Sequence, residues 1–126
     1  MDIILSHASD KPIYEQITSQ VKRLIATGAL APGELLPSMR TLARDLRISV
    51  ITTKRAYQEL ERDGFIYTVA AKGCYVAPKN TELIREEHLR QLEEHLRAAA
   101  KLAALCALSD EELFDLYKTI REEETR

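Results

Sequence analysis

The sequence predicts a mainly α fold with one small β-hairpin, in two parts: a compact unit over residues 1–77 and an antiparallel pair of helices over 78–126. Three observations carry this. Apolar residues recur three and four apart through most of the chain, the period shortens to two only around 65–77, and Ser, Asn or Gly punctuates the helical stretches.

The elements follow in order. After a short apolar start (Ile3, Ile4, Leu5), Asp10 and Pro12 signal a helix start, because a proline in the first turn lacks an N–H that would be unpaired there anyway. Ile13, Ile17, Val21, Leu24 and Ile25 then lie on one helical face, and Gly28 stands where a left-handed residue ends a helix. Pro32, Gly33 and Pro37 make 30–37 a loop by composition. Ser38 caps a short helix to about Leu46 that turns Leu42, Ala43 and Leu46 inward. Ser49 caps a second helix, with Ala56, Tyr57 and Leu60 on one side and Gly64 at its close. Two capped helices joined at Arg47 and Ile48 read as a helix-turn-helix. Phe65–Val69 and Cys74–Ala77, rich in Tyr, Val and Ile, flank Ala70, Ala71, Lys72 and Gly73 and read as a hairpin. Helix, helix-turn-helix and hairpin in that order make a winged helix-turn-helix, with the hairpin as the wing.

Beyond the linker Pro78–Asn80, Asn80 or Thr81 opens a long helix. Leu89, Leu92, Leu96, Ala99, Ala103 and Cys106 alternate three and four apart along it, as in a coiled-coil seam, and Leu102, Leu105 and Leu108 widen the apolar face. Ser109 and Glu112 form a capping box for a last helix carrying Leu113, Leu116, Tyr117 and Ile120 on one side. Two such helices cannot bury both faces by themselves. A homodimer through Leu89, Leu92, Leu96, Ala99, Ala103, Leu113, Leu116, Tyr117 and Ile120 is expected.

Composition narrows the class. With 45% apolar and 30% charged residues in 126, the chain is globular, and no stretch reaches the roughly 18 apolar residues of a membrane span. Met1 runs straight into Asp2 and Ile3 without a signal-peptide pattern, so a cytoplasmic location without membrane association is expected. Cys74 and Cys106 belong to no metal-ligand spacing and are expected to be reduced packing residues. No spacing supports a catalytic triad, a phosphate-cradling loop or a carboxylate pair, so neither catalysis nor a cofactor is expected. His88 and His95, near Glu87 and Glu94, could hold a metal or effector at a dimer interface; the plainer reading is a solvated or interface-edge pair. The glutamates at 122–124 read as a solvated terminus.

The net charge of −2 conceals an asymmetry: residues 1–77 carry ten Lys/Arg against eight Asp/Glu, and 78–126 carry eight against twelve. A basic face on the first part is therefore allowed. The candidates for it cluster at helix starts, where backbone amides also favour anions: Ser38 and Arg40, then Ser49, Val50, Ile51, Thr52, Lys54 and Arg55, with Lys72 and Gly73 at the hairpin tip. Each also has a plainer reading, the serines as caps and the cations as solvated surface. Tyr14, Tyr57, Tyr67 and Tyr75 are expected in the core or its rim.

PIYEQI at 12–17, GALAPGELLPSMRTLARDL at 28–46, ISVITTKRAYQELERDGFI at 48–66 and KGCYV at 72–76 resemble the N-terminal domain of the GntR family of bacterial repressors, including its LPSxRxLA motif. The short two-helix tail resembles the YtrA subfamily. The resemblance implies a dimeric repressor on a palindromic double-stranded operator, often controlling a transporter operon, with Arg40, Ser49, Thr52 and Lys54 against DNA. Two departures qualify it. Where the family often has a base-reading arginine, this chain has Val50, followed by Ile51, so specificity is expected to lean on thymine methyl groups, on Thr52 and Thr53, and on DNA shape. Ala71 stands where the family's wing often has glycine, and Thr53 stands at a place usually turned to the core. An effector, if there is one, is not identified by these residues, and a protein-interaction module is the alternative reading of the same fold.

Overall fold

The computed structural model describes residues 1–125, which form five helices and a two-stranded hairpin. They are α1 (Ile13–Ala26), α2 (Met39–Leu46), α3 (Val50–Arg62), β1 (Ile66–Val69), β2 (Gly73–Val76), α4 (Thr81–Leu105) and α5 (Asp110–Glu124). The chain divides into two compact units, Met1–His88 and Leu89–Arg126. The division falls inside α4, later than the 77/78 linker that composition suggested, because the first turns of α4 belong to the winged unit: Leu83 packs against its core.

In the first unit each helix ends for a local reason. At α1 the Asp10 side chain does not cap; Pro12 occupies the cap position itself, and its carbonyl accepts the Gln16 N–H at 3.1 Å. Ser38 accepts the Thr41 N–H and Ser49 the Thr52 N–H, each at 3.1 Å. Such caps stabilise a helix by roughly 1 kcal/mol each. Arg47 takes a left-handed conformation (φ 57°) to make the turn between α2 and α3, and Gly64 (φ 85°) ends α3.

Ile17, Val21, Leu42, Ala56, Tyr57, Leu60, Ile66 and Val76 form the centre of the core, with Ile3 closing it from the N-terminal segment. That segment is held in an unexpected way. The Gln20 carboxamide accepts from Ile4 N–H (2.9 Å) and donates to Ile4 C=O (2.6 Å), and Gln16 does the same with Ser6, at 2.9 Å in both directions. Two side-chain amides thus stand in for a neighbouring strand and keep backbone groups satisfied while Ile3 is buried.

Ile66 pairs with Val76 and Val69 with Gly73 in the antiparallel hairpin. The stretch that composition marked as loop is one, but part of it lies along β2: Gly33 N–H donates to Val76 C=O, Leu36 N–H to Cys74 C=O, and Val76 N–H to Glu34 C=O, each at 2.9 Å. These bonds carry the chain from the wing to the start of α2 in a fixed path. Cys74 is buried here as a packing residue, as expected.

In the second unit, α4 ends in a turn where Ala107 adopts φ 55°, and Ser109 with Glu112 forms the expected capping box. The Glu112 carboxylate accepts the Ser109 N–H, which holds it below the usual carboxylate range. The expected antiparallel packing of the two tail helices is not seen within one chain: α5 has no buried residue and does not pack along α4. Leu89, Leu92, Leu96, Leu116, Tyr117 and Ile120 are between 45% and 56% exposed, Leu113 and Ala99 are half-buried, and Ala103 alone of the seam is buried. Cys106 is exposed rather than packed, because it lies past the last turn of α4.

Lys22 ties α1 to the end of α3. Its ammonium contacts the Asp63 carboxylate at 2.9 Å and lies 5.2 Å from the centre of the Phe65 ring. Burial pushes the Asp63 carboxyl up, but the hydrogen bond and charge of Lys22, with the charge of Arg62, outweigh this and hold it below its ordinary value. A lowered carboxylate contributes stability that is complete above the unfolded-state value and disappears as pH falls through the folded one. Asp63→Asn should therefore lower stability at pH 7 by up to about 1 kcal/mol. The difference between variant and parent should shrink below about pH 4, as measured by urea unfolding at both pH values.

Candidate nucleic-acid interface

The first turns of α2 and α3 and the tip of the hairpin supply the candidate interface. Ser38, Arg40, Ser49, Lys54, Arg55, Lys72 and Gly73 are exposed and Thr52 is half-buried. The two serine hydroxyls serve as caps, and each also lies 2.8 Å from a threonine hydroxyl, Ser38 donating to Thr41 and Ser49 paired with Thr52. Each cap satisfies one amide of its helix and leaves the first-turn amides ahead of it directed outward, where an anion can take them.

Charge on this face is uncompensated at the places that matter. Among the described residues Arg40, Lys54 and Lys72 make no ion pair, whereas Arg62, two turns along α3 from Lys54, is held by Glu59 at 2.9 Å and Asp63 at 3.5 Å. Free cations thus stand at both helix starts and on the wing.

Along α3, Thr53, Ala56, Tyr57 and Leu60 face the core. Thr53 is fully buried with its hydroxyl donating to Ser49 C=O at 3.2 Å, which settles it as a core-side residue. The opposite side presents Ile51, Lys54, Arg55, Gln58, Glu59 and Arg62 along one shallow groove. Val50 is 43% and Ile51 80% exposed, so apolar methyl groups stand at the tip of the helix where hydrogen-bonding side chains would be expected. Gln58 was not among the sequence-derived candidates. It lies one turn beyond Lys54 and two beyond Ile51, so helical spacing from those residues was the signal available.

Arg55 is not loose on this surface. Its guanidinium carbon lies 3.8 Å from the centre of the Tyr14 ring on α1. Tyr57 is in the core as expected, and its hydroxyl donates to Pro37 C=O at 2.7 Å, immediately before the Ser38 cap. Burial raises the Tyr57 phenol well above its ordinary value, with the nearby Cys74 adding to the shift, so it remains a donor throughout the accessible pH range. Tyr67 and Tyr75 stack on one another across the hairpin, with ring centres 5.6 Å apart. Among the described residues no group of three His, Cys, Asp or Glu is placed to hold a metal, and no helix is long and apolar enough to cross a membrane.

Comparison with known proteins agrees with this architecture. A profile described as "Bacterial regulatory proteins, gntR family" matches residues 13–76. The HTH-type transcriptional repressor YtrA of Bacillus subtilis is 35% identical over 112 residues, covering 89% of this chain and 86% of that protein. Among solved structures, a GntR family transcriptional regulator from Listeria monocytogenes superposes with a TM-score of 0.70 at 29% identity, covering 88% of this chain and 96% of the other. YtrA from Sulfolobus acidocaldarius superposes with a TM-score of 0.56 at 32% identity, covering 98% and 100%.

At the wing, Ala71 has φ 65°, the left-handed region in which a Cβ costs about 1–2 kcal/mol. The alanine therefore keeps the turn a glycine would make and bears its strain. Ala71→Gly should stabilise the protein by about 0.5–1 kcal/mol after the added chain entropy of glycine is offset. Thermal unfolding monitored by circular dichroism would register this as a raised Tm.

Proposed function

This chain belongs to the GntR family of bacterial regulatory proteins and is a DNA-binding transcriptional regulator, and from that premise we propose that it represses its own operon by binding a palindromic operator as a homodimer. The observation that carries the reading is that the serine-capped N-termini of α2 and α3 bear the exposed, unpaired cations Arg40 and Lys54, with Met39 of α2 and Lys54 of α3 bordering one pocket. Helix α3 enters the major groove by its N-terminal half. Arg40, Ser49, Thr52 and Lys54 hold phosphates on either side, and Lys72 and Gly73 bring the wing to the adjacent backbone. Val50 and Ile51 meet thymine methyl groups, and the remaining selectivity comes from DNA shape.

Arg40→Ala and Lys54→Ala should each weaken binding to DNA from upstream of the chain's own gene without lowering Tm. Each should also reduce the slope of log K against log salt by about one, as expected for one lost phosphate contact. Gel-shift titrations across a salt series read both effects. A matched loss of Tm and affinity would assign these side chains to the fold instead.

The partner for the tail is a second copy. The apolar stripe on α4 and the face of α5 are exposed in one chain, and a two-fold arrangement lets each cover the other's equivalent. Two winged units so joined reach half-sites about one helical turn apart, roughly 34–36 Å. The double substitution Leu92→Glu with Leu96→Glu should yield a monomer by light scattering, with helix content retained. Operator affinity should fall about a hundredfold or more, because the second half-site no longer benefits from tethering. A persisting dimer would place the interface elsewhere.

A further inference from the structure

We propose that Tyr14 is a positioning residue for DNA binding, its ring holding the Arg55 guanidinium as a ready-made phosphate clamp beside α3. The proposal rests on the reading of the α2–α3 face as the DNA-binding surface. At 3.8 Å from the ring centre, the guanidinium lies over the face of Tyr14. Contact through its flat side leaves the N–H donors at its edge free to point outward, since all five lie in the guanidinium plane. Tyr14 is a stable platform: it sits in the first turn of α1, half-buried and packed against the core. Arg55 itself is exposed and, among the described residues, pairs with no carboxylate, in contrast to Arg62 on the same side of α3.

Position decides what the clamp holds. Ile51, Lys54 and Gln58 run along the outward line of α3, whereas Arg55 is displaced toward α1. A side chain on that flank meets the sugar-phosphate backbone bordering the groove and not the base edges. Arg55 thereby supplies affinity without sequence preference. Tyr14 lowers the loss of side-chain freedom on binding by fixing the arginine beforehand.

The test uses the full chain with two probes, a duplex selected from a randomised pool by the parent protein and an unrelated duplex. Arg55→Ala should weaken binding to both by about tenfold and lower the salt slope by about one. Tyr14→Leu should weaken both by about three- to tenfold, Tyr14→Phe should bind as the parent does, and Tyr14→Leu should add nothing in the Arg55→Ala background. An equal effect of Tyr14→Leu in both backgrounds, or a loss confined to the selected duplex, would overturn the clamp. If Arg40→Ala and Lys54→Ala weaken binding while Arg55→Ala does not, the clamp fails and the DNA-binding face stands. If none of the three has an effect, the face itself is wrong and the clamp falls with it. One measurement needs no variant to fold: the Cδ protons of Arg55 in the free parent protein should show an upfield ring-current shift, and an unshifted resonance would overturn the proposal.

Discussion

The hydrogen bond from the Tyr57 hydroxyl to Pro37 C=O ties the middle of α3 to the start of α2, and the rest of the candidate interface depends on it. Tyr57 is on the buried side of α3, and its ring fills the centre of the core. From there the hydroxyl reaches the residue before the Ser38 cap of α2. The same loop is fixed from the other direction, because Leu36 N–H donates to Cys74 C=O on the wing strand. Wing, α2 and α3 therefore meet at one short segment. In the proposed DNA complex, helix-start amides serve as phosphate sites only when their positions are set before DNA arrives, and this segment fixes the start of α2.

Much of this was legible in the sequence because it is local. A serine before an apolar period is a cap wherever it occurs, and Ser38, Ser49 and Ser109 all cap in the structure. Gly28 and Gly64 close their helices with positive φ for the same reason. What sequence could not supply depends on approach across the fold. Nothing in the spacing of Gln16 and Gln20 announces that they bond the backbone of Ser6 and Ile4, or that residues 33–36 run along β2. The stacking of Arg55 on Tyr14 joins residues on different helices. Gln58 lies beyond the capped first turns of α3, where no cap or charge marks it in the sequence, and only the helical spacing from Ile51 and Lys54 places it on the outer side.

The charge distribution makes sense in the same terms. A chain with net charge −2 presents a cationic face only if its acids are spent elsewhere. Within the winged unit, Asp63 is taken up by Lys22 and Arg62, and Glu59 by Arg62, while Arg40 and Lys54 are left to the solvent. The affinity available to such a face is modest per contact and falls with salt. In the proposed homodimer an apolar tail that joins two copies would multiply it without adding charge. The proposed methyl contacts of Val50 and Ile51 would suit such a dimer, since they discriminate weakly at one half-site and symmetry would count them twice.

The geometry of the candidate interface depends on the Tyr57 bond holding the start of α2 against the body of α3. The direct measurement is on Tyr57→Phe, which keeps the ring in the core and removes only the hydroxyl. Urea unfolding should show a loss of about 1 kcal/mol, amide exchange at 38–41 should quicken, and DNA affinity of the folded variant should fall about three- to tenfold. Parent-like affinity together with faster exchange at 38–41 would contradict the account, because the interface would then tolerate a loosened α2.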